Sequence, residues 1–253
     1  MAKQRLAITP ICEAEDLLLW RHRGRNDRLV VCFSGIAKSR DEVPPYEFPR
    51  GATENGKNHV LFVADPRRTW LNGPGLIEKI EAEVARIVAE EGITSVSTMG
   101  HSMGGFAAII MAKFMPVENA LAFAPQHSVH PEIAGNEHRW KDHLARITEF
   151  RVRSVDDYWV DGTTYFVFHG DHPRDQYQRG RFPVRHKLFH TILPDTTHAV
   201  PQKLKQEGLL DRVVSLCLAG KGRKVREVLE PMGAHRRTLE DYPLLGPSPA
   251  VAA

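Results

Sequence analysis

Cysteine is scarce in this chain, with three in 253 residues, at positions 12, 32 and 217. None forms a C-x-x-C pair, which excludes a disulfide framework. Cys32 lies inside an apolar run and reads as a buried core thiol. H-E-x-x-H is missing too. No histidine pair carries ligand spacing beside a set of carboxylates, so no metal and no cofactor is expected, despite thirteen histidines. No window approaches the ~20 apolar residues of a membrane span. Residues 1–10 lack the apolar core and small-residue cleavage site of an export signal. A cytoplasmic protein without a membrane span is therefore expected. Charge of one sign is lacking as well. Net charge is +3, and the basic residues are dispersed rather than gathered in a stripe, which argues against a nucleic acid partner.

What is present suits a single large α/β domain: 42% hydrophobic and 26% charged residues, with no internal repeat. Leu6 to Ile11 and Asp16 to Trp20 read as two short strands. Leu29 to Phe33 and His59 to Ala64 are continuous apolar runs, as expected of strands buried on both faces. Leu76, Ile77, Ile80, Val84, Ile87 and Val88 recur every three or four residues, which predicts a helix over Gly75 to Glu91 with Gly92 as its C-terminal glycine. Val96 to Met99 predicts a strand, Phe106 to Met115 a helix ended by Pro116, and Ala120 to Ala124 the next strand. Thr164 to Phe168 and Lys187 to Leu193 read as strands, and Val200 to Leu218 as a final helix. Such alternation predicts a doubly wound, mostly parallel sheet covered on both faces, with ligands beyond the carboxyl ends of the strands. Gln126 to Val160 reads as a small helical cap over those ends. The α/β domain is expected to span 1–219. Residues 220–253 read as a C-terminal extension, with a helix over Val225 to Met232 and a Pro-rich end after Tyr242 that is a candidate homo-oligomer contact.

The chemistry concentrates at Gly100-His101-Ser102-Met103-Gly104, a G-x-S-x-G set between the β-branched run from Ser95 and an apolar helix. A serine on a tight strand-to-helix turn presents its Oγ at the top of the sheet, with helix-start N–H groups aimed at whatever it attacks. Such a nucleophile needs a base, and the base needs an orienting acid, in the chain order Ser, acid, His. His198, in the loop before the last predicted helix, is the expected base. Asp171, just after Gly170, is the first choice of acid, and Asp175 in the same loop is the second. Met103 N–H is the expected oxyanion donor, joined by Ile36 or Gly35 from the loop after Phe33. His101, Gly104 and Gly105 read as packing residues. Arg67, Trp70 and His127, with Arg68, His130, His172 and Arg174, lie on predicted strand-end loops. If they share one cleft, it suits an anionic or sugar-like substrate.

The elbow, with Asp171 and His198 following in order, resembles the α/β-hydrolase fold superfamily over roughly Leu6 to Leu218. Phe123-Ala124-Pro125-Gln126-His127-Ser128, followed by His138-Arg139-Trp140, is also similar to a loosely defined bacterial group linked to cell-surface polysaccharide or glycosyltransferase-type proteins. The resemblance implies the fold and a serine-dependent acyl chemistry. One departure concerns the acid. Where relatives carry G-x-x-D after the equivalent strand, this chain has Pro173. The expected activity is hydrolysis of a small-molecule carboxylic ester or thioester through an acyl-enzyme on Ser102. The alternatives are acyl transfer to a sugar or carrier, and a non-catalytic binding protein with this fold.

Overall fold

The computed structural model describes residues 6–37, 39, 42–135, 137 and 139–240. The chain begins with an antiparallel pair, β1 (Thr9–Glu13) and β2 (Leu18–His22). Six parallel strands follow: β3 (Arg28–Phe33), β4 (His59–Ala64), β5 (Ser95–His101), β6 (Asn119–Phe123), β7 (Thr164–Gly170) and β8 (Leu188–Leu193). A two-residue strand, β9 (His235–Arg236), pairs antiparallel with β8. The sheet order is β1-β2-β4-β3-β5-β6-β7-β8-β9. The doubly wound, mostly parallel sheet expected from the alternation is thus the observed one.

Side chains alternate across a strand, so each strand feeds two layers. Leu29, Val31 and Phe33 of β3 point to one core, and Val30 and Cys32 to the other. The first core is covered by α2 (Leu76–Glu91) and α3 (Met103–Ile110). The α2 stripe Leu76, Ile77, Ile80, Val84 and Ile87 is fully buried there. Burial of each such aliphatic side chain stabilises by about 1.5–3 kcal/mol. The second core is covered by α1 (Pro49–Thr53), which supplies Ala52, and by helices of the C-terminal third. Between β6 and β7 the cap holds two one-turn helices, α4 (Pro131–Ala134) and α5 (Lys141–Leu144), and packs Trp140, Val152 and Val155 onto the first core. A 3-10 turn over Pro173–Asp175 runs into α6 (Gln176–Arg179).

Two expectations need correction. The final helix is two, α7 (Val200–Gln206) and α8 (Leu210–Leu218), because Gly208 turns the chain with φ at 71°. Residues 222–240 are also not an appendage. α9 (Gly222–Leu229) lies on the second core through Val225 and Leu229. β9 closes the sheet edge, and Arg237 is buried with its guanidinium on Phe182 O at 2.6 Å and Gly180 O at 3.0 Å. The Pro-rich end after Tyr242 and the expected oligomer contact lie outside the described residues. No helix among the described residues is long and apolar enough to cross a membrane.

Candidate active site

β3 pairs with β4 on one side and β5 on the other. The order of the sheet therefore reverses between β3 and β5, which opens a crevice at their carboxyl ends. Two loops enter it: Ser34-Gly35-Ile36 from β3, and the turn at Ser102 from β5. Ser102 sits at φ 58° and ψ −120°, a region that serine rarely occupies. Its N–H is tied to Phe123 O at 2.8 Å. The turn is tight enough to demand glycine. A Cβ on Gly104 would stand 2.2 Å from Phe33 O, and one on Gly100 would stand 2.3 Å from Gly104 O.

His198 lies in the loop between β8 and α7. Its Nδ1 is 3.1 Å from each carboxylate oxygen of Asp175. With Nδ1–H donating to the carboxylate, Nε2 carries the lone pair. Asp175 is buried, and Arg139 of the cap donates to its Oδ1 at 2.6 Å. Burial alone raises a carboxyl pKa, but the His198 hydrogen bond, nearby imidazole charge and the Arg139 bond outweigh it and hold Asp175 well below the usual carboxylate range. Asp171, the first choice of acid, is not at the imidazole. Its Oδ1 accepts from Thr196 N at 3.2 Å, which pins the loop carrying His198. The reason is the turn at Pro173–Asp175, which folds the chain back and delivers the second carboxylate instead. His101 donates from Nε2 to His198 O at 3.0 Å, so it braces the base from behind. Burial pushes its pKa down to about 4, which keeps it neutral.

Among the described residues, Met103 N–H and Ile36 N–H have no protein acceptor, as oxyanion donors require. Gly35 N–H is already taken, by Glu47 Oε2 at 3.3 Å. Arg68, almost fully buried, fixes this loop by donating to Ile36 O at 3.0 Å and to Glu42 O at 2.5 Å.

Gln126, which the sequence did not single out, is fully buried and contacts the nucleophile. Its Oε1 accepts from Trp70 Nε1 at 2.9 Å, and its Nε2 lies 3.0 Å from Ser102 Oγ. An indole N–H only donates, so the amide oxygen must face Trp70 and the NH2 must face Oγ. Ser102 therefore accepts this bond and keeps its own proton free to donate. In this conformation Oγ makes no hydrogen bond to His198 among the described residues.

The expected cationic cleft does not assemble. Arg67 is turned to the N-terminal hairpin and pairs with Glu15 at 2.9 Å. His127 is buried, with Nε2 on Asp156 Oδ1 at 3.0 Å and its backbone N–H on Gln178. Arg68 serves the backbone, while His172 and Arg174 face solvent. Trp70 is near the nucleophile but wholly buried and acts through Gln126. A cavity of about 500 Å³ opens beside His101, between residues 46–51 and α7–α8, with Phe48, Leu210 and Val214 in its wall and Glu47 and Lys205 among its polar groups.

No family model and no curated protein matches the sequence. Solved structures are similar in fold. The capsule O-acetyltransferase of Neisseria meningitidis serogroup A superposes with a TM-score of 0.56 at 13% identity, over 85% of this chain and 97% of that one. The glycosylation-associated protein complex Gap123 of Streptococcus agalactiae gives 0.54 at 13%, over 88% of this chain and 46% of that one, so this chain spans under half of it. An esterase of Pyrobaculum calidifontis gives 0.51 at 14%, over 87% and 85%. Together with the strand order and the elbow at Ser102, these likenesses define the chain as an α/β-hydrolase fold.

Proposed function

We propose that the protein is a serine-dependent acyl-transferring enzyme that cleaves a carboxylic ester or thioester. The observation that carries this reading is the Asp175–His198 pair beside a serine held in an elbow turn with two unspent N–H donors. Ser102 Oγ attacks the acyl carbonyl while His198 Nε2 takes its proton, so Oγ moves from Gln126 toward His198 in the reacting complex. The C–O or C–S bond to the leaving group then breaks as His198 returns the proton to it. Met103 and Ile36 N–H groups hold the oxyanion, and Asp175 steadies the imidazolium. Water, activated by His198, releases the acid from Ser102.

A second reading replaces the water with an acceptor hydroxyl. It is favoured by burial, because Ser102 is only 4% exposed beneath the cap, and a dry site protects an acyl-enzyme from hydrolysis. The likeness to a capsule O-acetyltransferase supports a sugar as that acceptor. Incubation with p-nitrophenyl acetate, with and without sugar alcohols, separates the two. Release of p-nitrophenol that disappears in Ser102→Ala supports the proposal, and acetylated sugar among the products favours transfer. Equal release by wild type and Ser102→Ala contradicts both readings.

A further inference from the structure

The cap does more than cover the strand ends, because one of its side chains is bonded to the group that orients the base. Arg139 Nη1 donates to Asp175 Oδ1 at 2.6 Å, and that same oxygen is 3.1 Å from His198 Nδ1. Guanidinium and imidazole therefore share one carboxylate, with Oδ1 common to both and Oδ2 facing the imidazole alone. Arg139 is itself held from the other side. Its Nε and Nη2 donate to the two oxygens of Glu137 at 2.8 and 2.5 Å, and the Glu137 side chain is only 5% exposed. The guanidinium lies over the Trp140 ring at 4.5 Å, and Trp140 packs against Trp70 with ring centroids 5.8 Å apart. Trp70 in turn holds Gln126, which touches Ser102 Oγ. One cap segment thus reaches both ends of the catalytic set.

We propose that Arg139, braced by Glu137, is a positioning residue that sets the basicity of His198 by sharing Asp175 with it. The proposal rests on the reading of Asp175 and His198 as acid and base. A guanidinium on the carboxylate takes up part of its negative field, and so weakens the stabilisation of an imidazolium at His198. The other titratable groups facing this pair hold the background fixed. His101, from β5, is 5.1 Å from the His198 ring, is neutral, and is bonded to its carbonyl. His169, from β7, is buried and neutral. It donates to Pro125 O and has Arg179 behind it. Glu137 and Arg139 are therefore the charged groups through which the cap acts, and their signs are opposite.

Opposite signs give the test. The pH midpoint of the His198 imidazole is read by NMR in wild type, Arg139→Met, Arg139→Lys and Glu137→Gln, with His198→Ala assigning the resonance. Fluorophosphonate inactivation rates are measured over the same pH range. Arg139→Met is expected to raise the midpoint by about half a unit or more, because Asp175 then serves the imidazole alone. Glu137→Gln is expected to lower it, because Arg139 keeps its charge undiluted. Arg139→Lys is expected to stay near wild type. A merely structural role moves Arg139→Met and Glu137→Gln in the same direction, or not at all, and either result overturns the proposal. If Arg139→Met does not fold, the downward shift in Glu137→Gln decides. Wild type that resists fluorophosphonate while the NMR midpoints move as stated contradicts the enzyme reading but not the tuning.

Discussion

Ser102 accepts a hydrogen bond from Gln126 and keeps its own proton to give. That assignment depends on Trp70, whose N–H forces the amide orientation. Gln126→Leu removes the contact and leaves the buried Trp70 N–H without an acceptor. It is expected to cost about 1–3 kcal/mol in a urea titration, and to leave turnover of p-nitrophenyl acetate within an order of magnitude of wild type, because the contact is given up as Oγ turns to His198. The acid is tested by a pair of variants. Asp175→Asn removes the charge that steadies the imidazolium and allows the wrong tautomer, so kcat is expected to fall by about a thousandfold or more. Asp171→Asn keeps an oxygen for Thr196 N–H, so kcat is expected to stay within an order of magnitude of wild type. A larger loss in Asp171→Asn than in Asp175→Asn returns the acid role to Asp171.

The elbow is a joint between elements, and its tolerance is set by backbone approach. A methyl on Gly104 meets Phe33 O at 2.2 Å, on the strand whose loop carries Ile36. Gly104→Ala is expected to destabilise by about 1–3 kcal/mol and to lower activity further still, because relief of the clash moves Met103 N–H. Thermal unfolding and ester turnover of the variant check both parts. At this scale the sequence was most legible. Runs such as Leu29 to Phe33 and His59 to Ala64 are strands because both faces of each are buried, and composition alone records that. The stripe of α2 was legible for the same reason. The break at Gly208 was not, since the apolar pattern continues through it and only the local turn ends α7. Nor were the choice of Asp175 over Asp171, the backbone-holding role of Arg68, or the place of Gln126. Their places depend on how the Pro173 turn, the loop after β4 and the cap fold back over the strand ends, and no local periodicity encodes such returns. The candidate nucleophile was legible because it sits directly after β5, and the candidate base because it lies in the short loop between β8 and α7.

Across the whole molecule, buried titratable groups set the response to pH. Burial pushes His101 down to about 4 and His169 to about 3, and holds His190 well below its usual value. In the unfolded chain these imidazoles titrate near 6.5. Below that pH the unfolded state binds more protons than the folded one, so stability falls as pH drops from about 6.5 toward 4. Glu47 acts the other way. Burial raises it from 4.5 to about 7, so its contribution is lost as pH rises through that window. Asp65, also raised by burial, acts in the same sense as Glu47, but three imidazoles outweigh two carboxyls, and the urea midpoint is expected to be lower at pH 5 than at pH 7. Glu47→Gln is expected to match wild type near pH 4.5 and to exceed it in stability at pH 8. The same molecule is expected to carry one activated serine. The most direct test is intact mass and peptide mapping after fluorophosphonate treatment at neutral pH. A single adduct on Ser102 is expected, absent in Ser102→Ala and strongly reduced in His198→Ala. No adduct on the folded wild type, or an equal adduct on Ser102→Ala, contradicts it.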